Sequence, residues 1–141
     1  MSRIRKLIAI ACLLITCLSM SGCKREEAEE KKVKSLEYTV MKESEIPEEV
    51  MEHINEKKEK EFKFTFYNKE KKDYLYIVVG YGKQPTGGYS IAIEDLYLTN
   101  NSIYIDTSLI GPAKDDVVTQ AFTYPYIVVK IEFMDKPVTF I

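Results

Sequence analysis

The clearest period in the chain runs from Glu61 to Tyr67, EFKFTFY, where Phe62, Phe64 and Phe66 alternate with polar residues. Period-two alternation puts successive side chains on opposite faces, so this stretch predicts a half-buried strand. Asp73 to Tyr81, DYLYIVVGY, is apolar almost throughout and predicts a longer, more deeply buried strand after a polar turn at Asn68 to Lys72. Tyr89 to Thr99 and Ile103 to Thr107 predict two further strands, with Asn100-Asn101 between them as a tight antiparallel turn tolerant of positive φ. Asn100-Asn101-Ser102 also spells a glycosylation sequon, which the hairpin explains better. Gly111 to Thr123 reads as a polar loop, Tyr126 to Met134 as a strongly apolar strand, and Val138 to Ile141 as a short final one. Ahead of these, Leu36 to Met41 reads as a short strand, and Ile46, Val50, Met51 and Ile54 recur at helical spacing. Pro47 in the first turn, with Glu48 and Glu49 near the positive end of the dipole, starts that helix, which fades by Lys60. One helix and about seven strands predict a mainly β (α+β) domain: an antiparallel β-sandwich or half-open barrel with one N-terminal amphipathic helix covering an edge.

The first 34 residues follow a different pattern. Arg3, Arg5 and Lys6 form a basic start, and Leu7 to Met20 is an apolar run short for a bilayer span. Two small residues, Ser21 and Gly22, then precede Cys23. The order basic, apolar, small, cysteine resembles the lipobox of bacterial lipoproteins. That resemblance implies cleavage before Cys23, diacylation of its thiol, and a membrane held through the lipid on the extracytoplasmic face. Two or three acyl chains hold stably where one is marginal, because each buried methylene contributes about 0.8 kcal/mol. Cys17 is a poorer match, since Thr16 is larger than Gly22. The alternative is an uncleaved N-terminal anchor. Residues 24 to 34, KREEAEEKKVK, are nearly all charged and read as a solvated tether. The expected organisation is therefore signal peptide 1–22, charged tether 23–34 and one β-rich domain 35–141, long enough to bury a core without staples.

Composition narrows the chemistry. Cys12, Cys17 and Cys23 are the three cysteines, so the segment after Cys23 has no disulfide, thiolate metal site or thiol nucleophile. Removing residues 1–22 takes away Arg3, Arg5 and Lys6 and moves the formal charge from −2 to −5. An acidic domain without a basic stripe is a poor binder of nucleic acid, so partners are expected to be proteins, peptides or small molecules outside the cytoplasm.

No catalytic constellation stands out, and no cofactor is expected. His53 is the one histidine; Glu49 lies four residues earlier, but two ligands do not make a metal site, and the pair reads as the surface of an amphipathic helix. Asp106, Asp115 and Asp116 lack the spacing and central glycine of a calcium loop. Ser90 and Ser108 have no candidate base except His53, which is distant in sequence. Nothing singles out a carboxylate pair. The expectation is a protein that is not an enzyme.

One stretch remains, Lys83 to Ile91, KQPTGGYSI. It fails both phosphate-loop patterns: Pro85 stands where a third glycine belongs, Gly88 follows Gly87 where a lysine belongs, and a strand rather than a helix comes next. Its chemistry is that of a turn. Pro85 fixes φ, Thr86 offers a hydroxyl to nearby backbone, and Gly87 and Gly88 allow positive φ before Tyr89 resumes the strand, so a rigid hairpin end is expected. Adjacent glycines also leave room for another backbone, and flanking tyrosines supply contact area at low entropy cost.

Gly82 to Ile91, Gly111-Pro112, and Thr123-Tyr124-Pro125-Tyr126-Ile127-Val128-Val129-Lys130 together resemble the C-terminal domain of the PrcB family, over roughly residues 62 to 134. That family is named for a non-proteolytic subunit of a bacterial surface protease complex, and its members are small secreted or lipid-anchored proteins. The resemblance implies a protein-binding accessory domain with a secreted protease as partner. Its candidate interaction loops are Pro85, Thr86, Gly87, Gly88 and Tyr89 together with Tyr124, Pro125 and Tyr126. Pro85-Thr86-Gly87-Gly88-Tyr89 and Tyr124-Pro125-Tyr126 are also similar in kind to the cleft-binding loops of chagasin-type cysteine-peptidase inhibitors, Ig-like sandwiches. Here Gly87 replaces a threonine and Tyr124 an arginine, so direct inhibition is the alternative. A small-ligand or glycan site on a tyrosine-rich face is a further one, given ten tyrosines and no tryptophan.

Overall fold

The computed structural model describes residues 30–141. The expected signal peptide, the expected lipidation site Cys23 and the first part of the expected tether lie outside the described residues. In chain order the elements are β1 (Lys34–Ser35), β2 (Thr39–Val40), α1 (Glu48–Lys57), β3 (Glu61–Phe66), β4 (Tyr74–Tyr81), β5 (Ser90–Leu98), β6 (Ile103–Ile110), β7 (Tyr126–Glu132) and β8 (Val138–Phe140). They form two four-stranded sheets, ordered β1-β5-β6-β8 and β2-β7-β4-β3. All pairs are antiparallel except β6 with β8, where Ile103 faces Val138 in a parallel register. The result is an open sandwich, and the mainly β expectation holds.

Side-chain alternation explains how the layers stack. On β4, Leu75, Ile77 and Val79 point between the sheets, where they meet Leu96, Ile103, Ile105 and β7's Ile127, Val129 and Ile131. The intervening Val78, with Val128 of β7, faces the other way onto Val50 and Ile54 of α1 and onto Ile46 just before it. The β2-β7-β4-β3 sheet is thus covered on both faces, and for that reason Asp73 to Tyr81 reads as an almost unbroken apolar run. Each such buried aliphatic side chain contributes about 1.5–3 kcal/mol. Phe62, Phe64 and Phe66 of β3 flank the same helix. Gly80 pairs directly with Phe62, and a Cβ on Gly80 would fall 2.1 Å from the Phe62 ring, so that ring lies over the glycine.

Several expectations change. The helix lies across the outer face of a sheet, not along an edge, because its Val50 and Ile54 seek the apolar side chains of β4 and β7. The strand expected at Leu36 to Met41 is split: Leu36 N donates to Leu96 O in one sheet, whereas Met41 N donates to Val128 O in the other. One short segment therefore changes sheets and covers part of each sandwich edge. The Asn100-Asn101 turn closes without positive φ, which Lys72 alone of the described non-glycine residues adopts, at 49°. Thr99 takes over the closure: its buried hydroxyl accepts from Ser102 N at 3.0 Å and from Asn101 N at 3.3 Å.

The last tether residues join the sandwich. Lys34 and Ser35 pair with Leu98 and Tyr97, Val33 N donates to Leu98 O at 2.8 Å, and Lys32 forms an ion pair with Asp95 at 2.7 Å. Glu30 accepts hydrogen bonds from the Thr99 hydroxyl and from Asn101 Nδ2, and these hold its carboxyl below the usual range. Lys32 also neutralises a strained pairing, since Asp95 stands directly opposite Asp106 across β5 and β6.

Candidate interaction site

The segment Gly82 to Tyr89 is not the end of a hairpin. It leaves β4 in one sheet and enters β5 in the other, so the turn residues carry the chain across the sandwich. Turn chemistry encodes the change of direction but not which sheet receives the next strand.

At this pole the loop meets the long connection from Gly111 to Pro125. Gln84 and Thr123 form an isolated antiparallel bridge, with Gln84 N to Thr123 O at 2.8 Å and Thr123 N to Gln84 O at 3.0 Å. Gly87 N donates to Thr119 O at 2.9 Å, and the Thr123 hydroxyl donates to Thr86 O at 2.6 Å. Tyr81 N donates to Pro125 O at 3.0 Å. The Gln84 side chain returns to Tyr81 O at 3.0 Å, and the Thr86 hydroxyl donates to Gly87 O at 3.0 Å. Two loops separated in the chain by the whole of β5 and β6 are thus fastened into one body, although neither is a regular strand.

Gly88 explains how closely they fit. It has φ +84°, and a Cβ there would lie 2.6 Å from Val118 Cγ1 and 3.0 Å from Pro112 Cβ. The space beside Gly88 is therefore filled by this chain's own second loop. Tyr89 is half-buried with its ring against Gly111, and Pro85 is exposed at the tip.

The second candidate group divides. Tyr124 is half-buried with the Lys58 ammonium 5.3 Å from its ring centre, and Pro125 supplies the carbonyl to Tyr81. Tyr126 packs into the helix cluster, where its hydroxyl donates to Met51 Sδ at 3.8 Å. Burial, and then the Glu43 carboxylate, push its phenol up. Tyr126 thus belongs to the support beneath the pole.

The most exposed apolar side chains at this pole lie outside the eight candidate loop residues. Val117 is 102% exposed, Phe122 64% and Ile110 51%. The Lys83 ammonium sits 4.0 Å from the Phe122 ring centre, a cation–π contact that links the two loops at their surface. Val117 is half of the pair Val117-Val118, Phe122 follows Ala121, and neither belongs to a period; the available signal was an aromatic just before Thr123-Tyr124-Pro125.

The other candidates do not converge on this pole as a reacting group. His53 lies half-exposed beside Glu56 at 3.7 Å, its ring edge-on to Phe64 at 5.8 Å. Asp116 caps its own loop by accepting from Ala113 N at 2.8 Å, Asp106 lies on β6, and the Ser108 hydroxyl bonds Glu94. Among the described residues no three acidic, histidine or cysteine side chains are grouped to hold a metal ion. No helix among them is long and apolar enough to cross a membrane.

Two twisted sheets, one face roofed by a helix and one end closed by two interlocked loops, define a small β-sandwich domain whose irregular backbone is concentrated at one pole. Residues 75–132, the core segment from β4 through β7 with both loops, match the family model described as PrcB C-terminal. Comparison with curated proteins and with solved structures returned no match.

Proposed function

We propose that this is a lipid-anchored, extracytoplasmic, non-catalytic accessory protein that binds a protein partner, a secreted protease or a subunit of its complex, through the pole built by residues 82–89 and 111–125. The observation that carries the reading is the pairing of rigidity with exposure. Backbone hydrogen bonds fasten the two loops to each other, while Phe122 and Val117 project from them into solvent. Apolar side chains on a pre-ordered backbone lose little entropy on binding, and one buried aromatic commonly dominates an interface. The family name, taken from a protease complex, supports the choice of partner class, and the Ser21-Gly22-Cys23 sequence supports the lipid anchor.

The test is co-purification from cells of the full-length protein and of its Phe122→Ala variant. Phe122 contributes exposed area and one surface cation–π contact, so the variant should stay folded. It should lose its partner at least tenfold. Undiminished co-purification of the same partner would contradict the placement of the site, and slowing of a protease by the purified protein would identify the binding as inhibition.

A further inference from the structure

The place where the chain enters the sandwich has a consequence for how the domain meets the bilayer. Antiparallel pairing of Lys34 with Leu98 and Ser35 with Tyr97 means that the chain arrives at the Leu98 end of β5 and runs toward its Ser90 end. Glu30 marks the arrival point by its hydrogen bonds to Thr99 and Asn101. Lys136 Nζ reaches Thr99 O at 3.3 Å, and Phe133 N donates to Asp73 O at 3.1 Å, so the turns at 67–73, 99–102 and 133–137 gather at this same end. The loops 82–89 and 111–125 adjoin Ser90 and Ile110, which pair at the opposite end of β5 and β6. The nine residues of β5 separate the two poles by about 27 Å.

We propose that the pole carrying the three turns faces the lipid surface and that the interlocked loops are presented away from it, to a partner standing above the bilayer. This rests on lipidation of Cys23, part of the function proposed above. Whatever their conformation, the seven residues from Cys23 to Glu30 span at most about 25 Å. An inverted domain, loops down, would need that chain drawn out to nearly its full extension along the whole length of the body before entering it, at a large cost in chain entropy. Upright and leaning postures need far less. Headgroup attraction does not drive the arrangement: Lys69, Lys71, Lys72 and Lys136 at the turn pole are balanced by Glu70, Asp73, Glu132 and Asp135. The lipid leash sets the polarity, so raising salt should leave it unchanged.

The acylated full-length product can be tested in vesicles of phosphatidylethanolamine and phosphatidylglycerol that carry a nitroxide at the headgroup. Lys71→Cys or Val117→Cys supplies one free thiol for a fluorophore, because no cysteine follows the acylated Cys23. Both sites are exposed, one at each pole. The fluorophore at 71 should be quenched at least threefold more than that at 117, at low and high salt alike. Vesicle-bound protein with equal or reversed quenching overturns the orientation while leaving the anchor intact. Failure of the labelled protein to sediment with vesicles overturns the anchor itself and the orientation with it.

Discussion

Replacing Gly88 by alanine tests whether this residue serves the loop-to-loop fit. At φ +84° an alanine carries strain of about 1–2 kcal/mol. Its Cβ would also sit 2.6 Å from Val118 Cγ1 and 3.0 Å from Pro112 Cβ, and overpacking of this kind costs about 1–3 kcal/mol. The reduced freedom of the unfolded chain returns about 0.4–1 kcal/mol. The expected net loss is therefore about 1–5 kcal/mol. Urea denaturation followed by tyrosine fluorescence reads it, since the chain has ten tyrosines and no tryptophan. The steric and conformational parts separate in a cycle with Val118→Ala, which removes the clashing methyl. The double variant should recover about 1–2 kcal/mol relative to additivity, leaving the φ strain and the close approach to Pro112 behind. A Gly88→Ala protein within about 0.5 kcal/mol of the parent, or a cycle with no coupling, would refute the packing argument. The same geometry means that no side chain at position 88 is a clean probe of partner contact.

Three further outcomes follow from the same structure. Ile54→Ala empties a wholly buried position between the helix and β4, and should lower stability by about 2–4 kcal/mol in the same denaturation assay; a loss below about 1 kcal/mol would show that the helix is not docked on that face. The folded state favours the neutral phenol of Tyr126, so its contribution is complete below the ordinary tyrosine pKa and is lost as pH rises through the raised one. Between about pH 8 and about pH 11 the Tyr126→Phe protein should therefore lose less stability than the parent, and equal loss would contradict the burial argument. Cys23→Ser should abolish incorporation of labelled palmitate and release the protein from membranes; persistent label would contradict processing at Cys23.

The elements with a strong local period were legible in the sequence. Phe62, Phe64 and Phe66 announce β3, and Val50, Met51 and Ile54 announce the helix, whereas Ile46, at the same spacing, lies in extended backbone just before it. What local pattern could not carry is the choice of partner. Leu36 to Met41 reads as one strand because nothing in its residues says that Leu36 bonds Leu96 while Met41 bonds Val128. Pro85, Gly87 and Gly88 signal a turn, yet a hairpin and a crossing between sheets use the same residue types. The paired loops were identified from the sequence, whereas their fastening depends on Gln84 meeting Thr123 and Gly88 meeting Val118, contacts made only once both sheets are in place. Tyr126 looked like a contact residue because tyrosines often are; it sits one position before the buried run of β7 and points to the helix. Phe122 and the pair Val117-Val118 lie in an otherwise mostly polar loop without a period that would mark which of them faces solvent.

The central claim is that the pole formed by residues 82–89 and 111–125 is where a protein partner binds. A photo-crosslinking amino acid placed in living cells at Phe122 or Pro85, both exposed there, and separately at Lys71, exposed on the opposite pole, tests it most directly. The account predicts one discrete adduct from the first two positions, identified by mass spectrometry as an extracytoplasmic protease or a subunit of its complex, and none of that species from Lys71. Folded, membrane-bound protein that gives no adduct from Phe122 and Pro85, or the same adduct from all three positions, would contradict it.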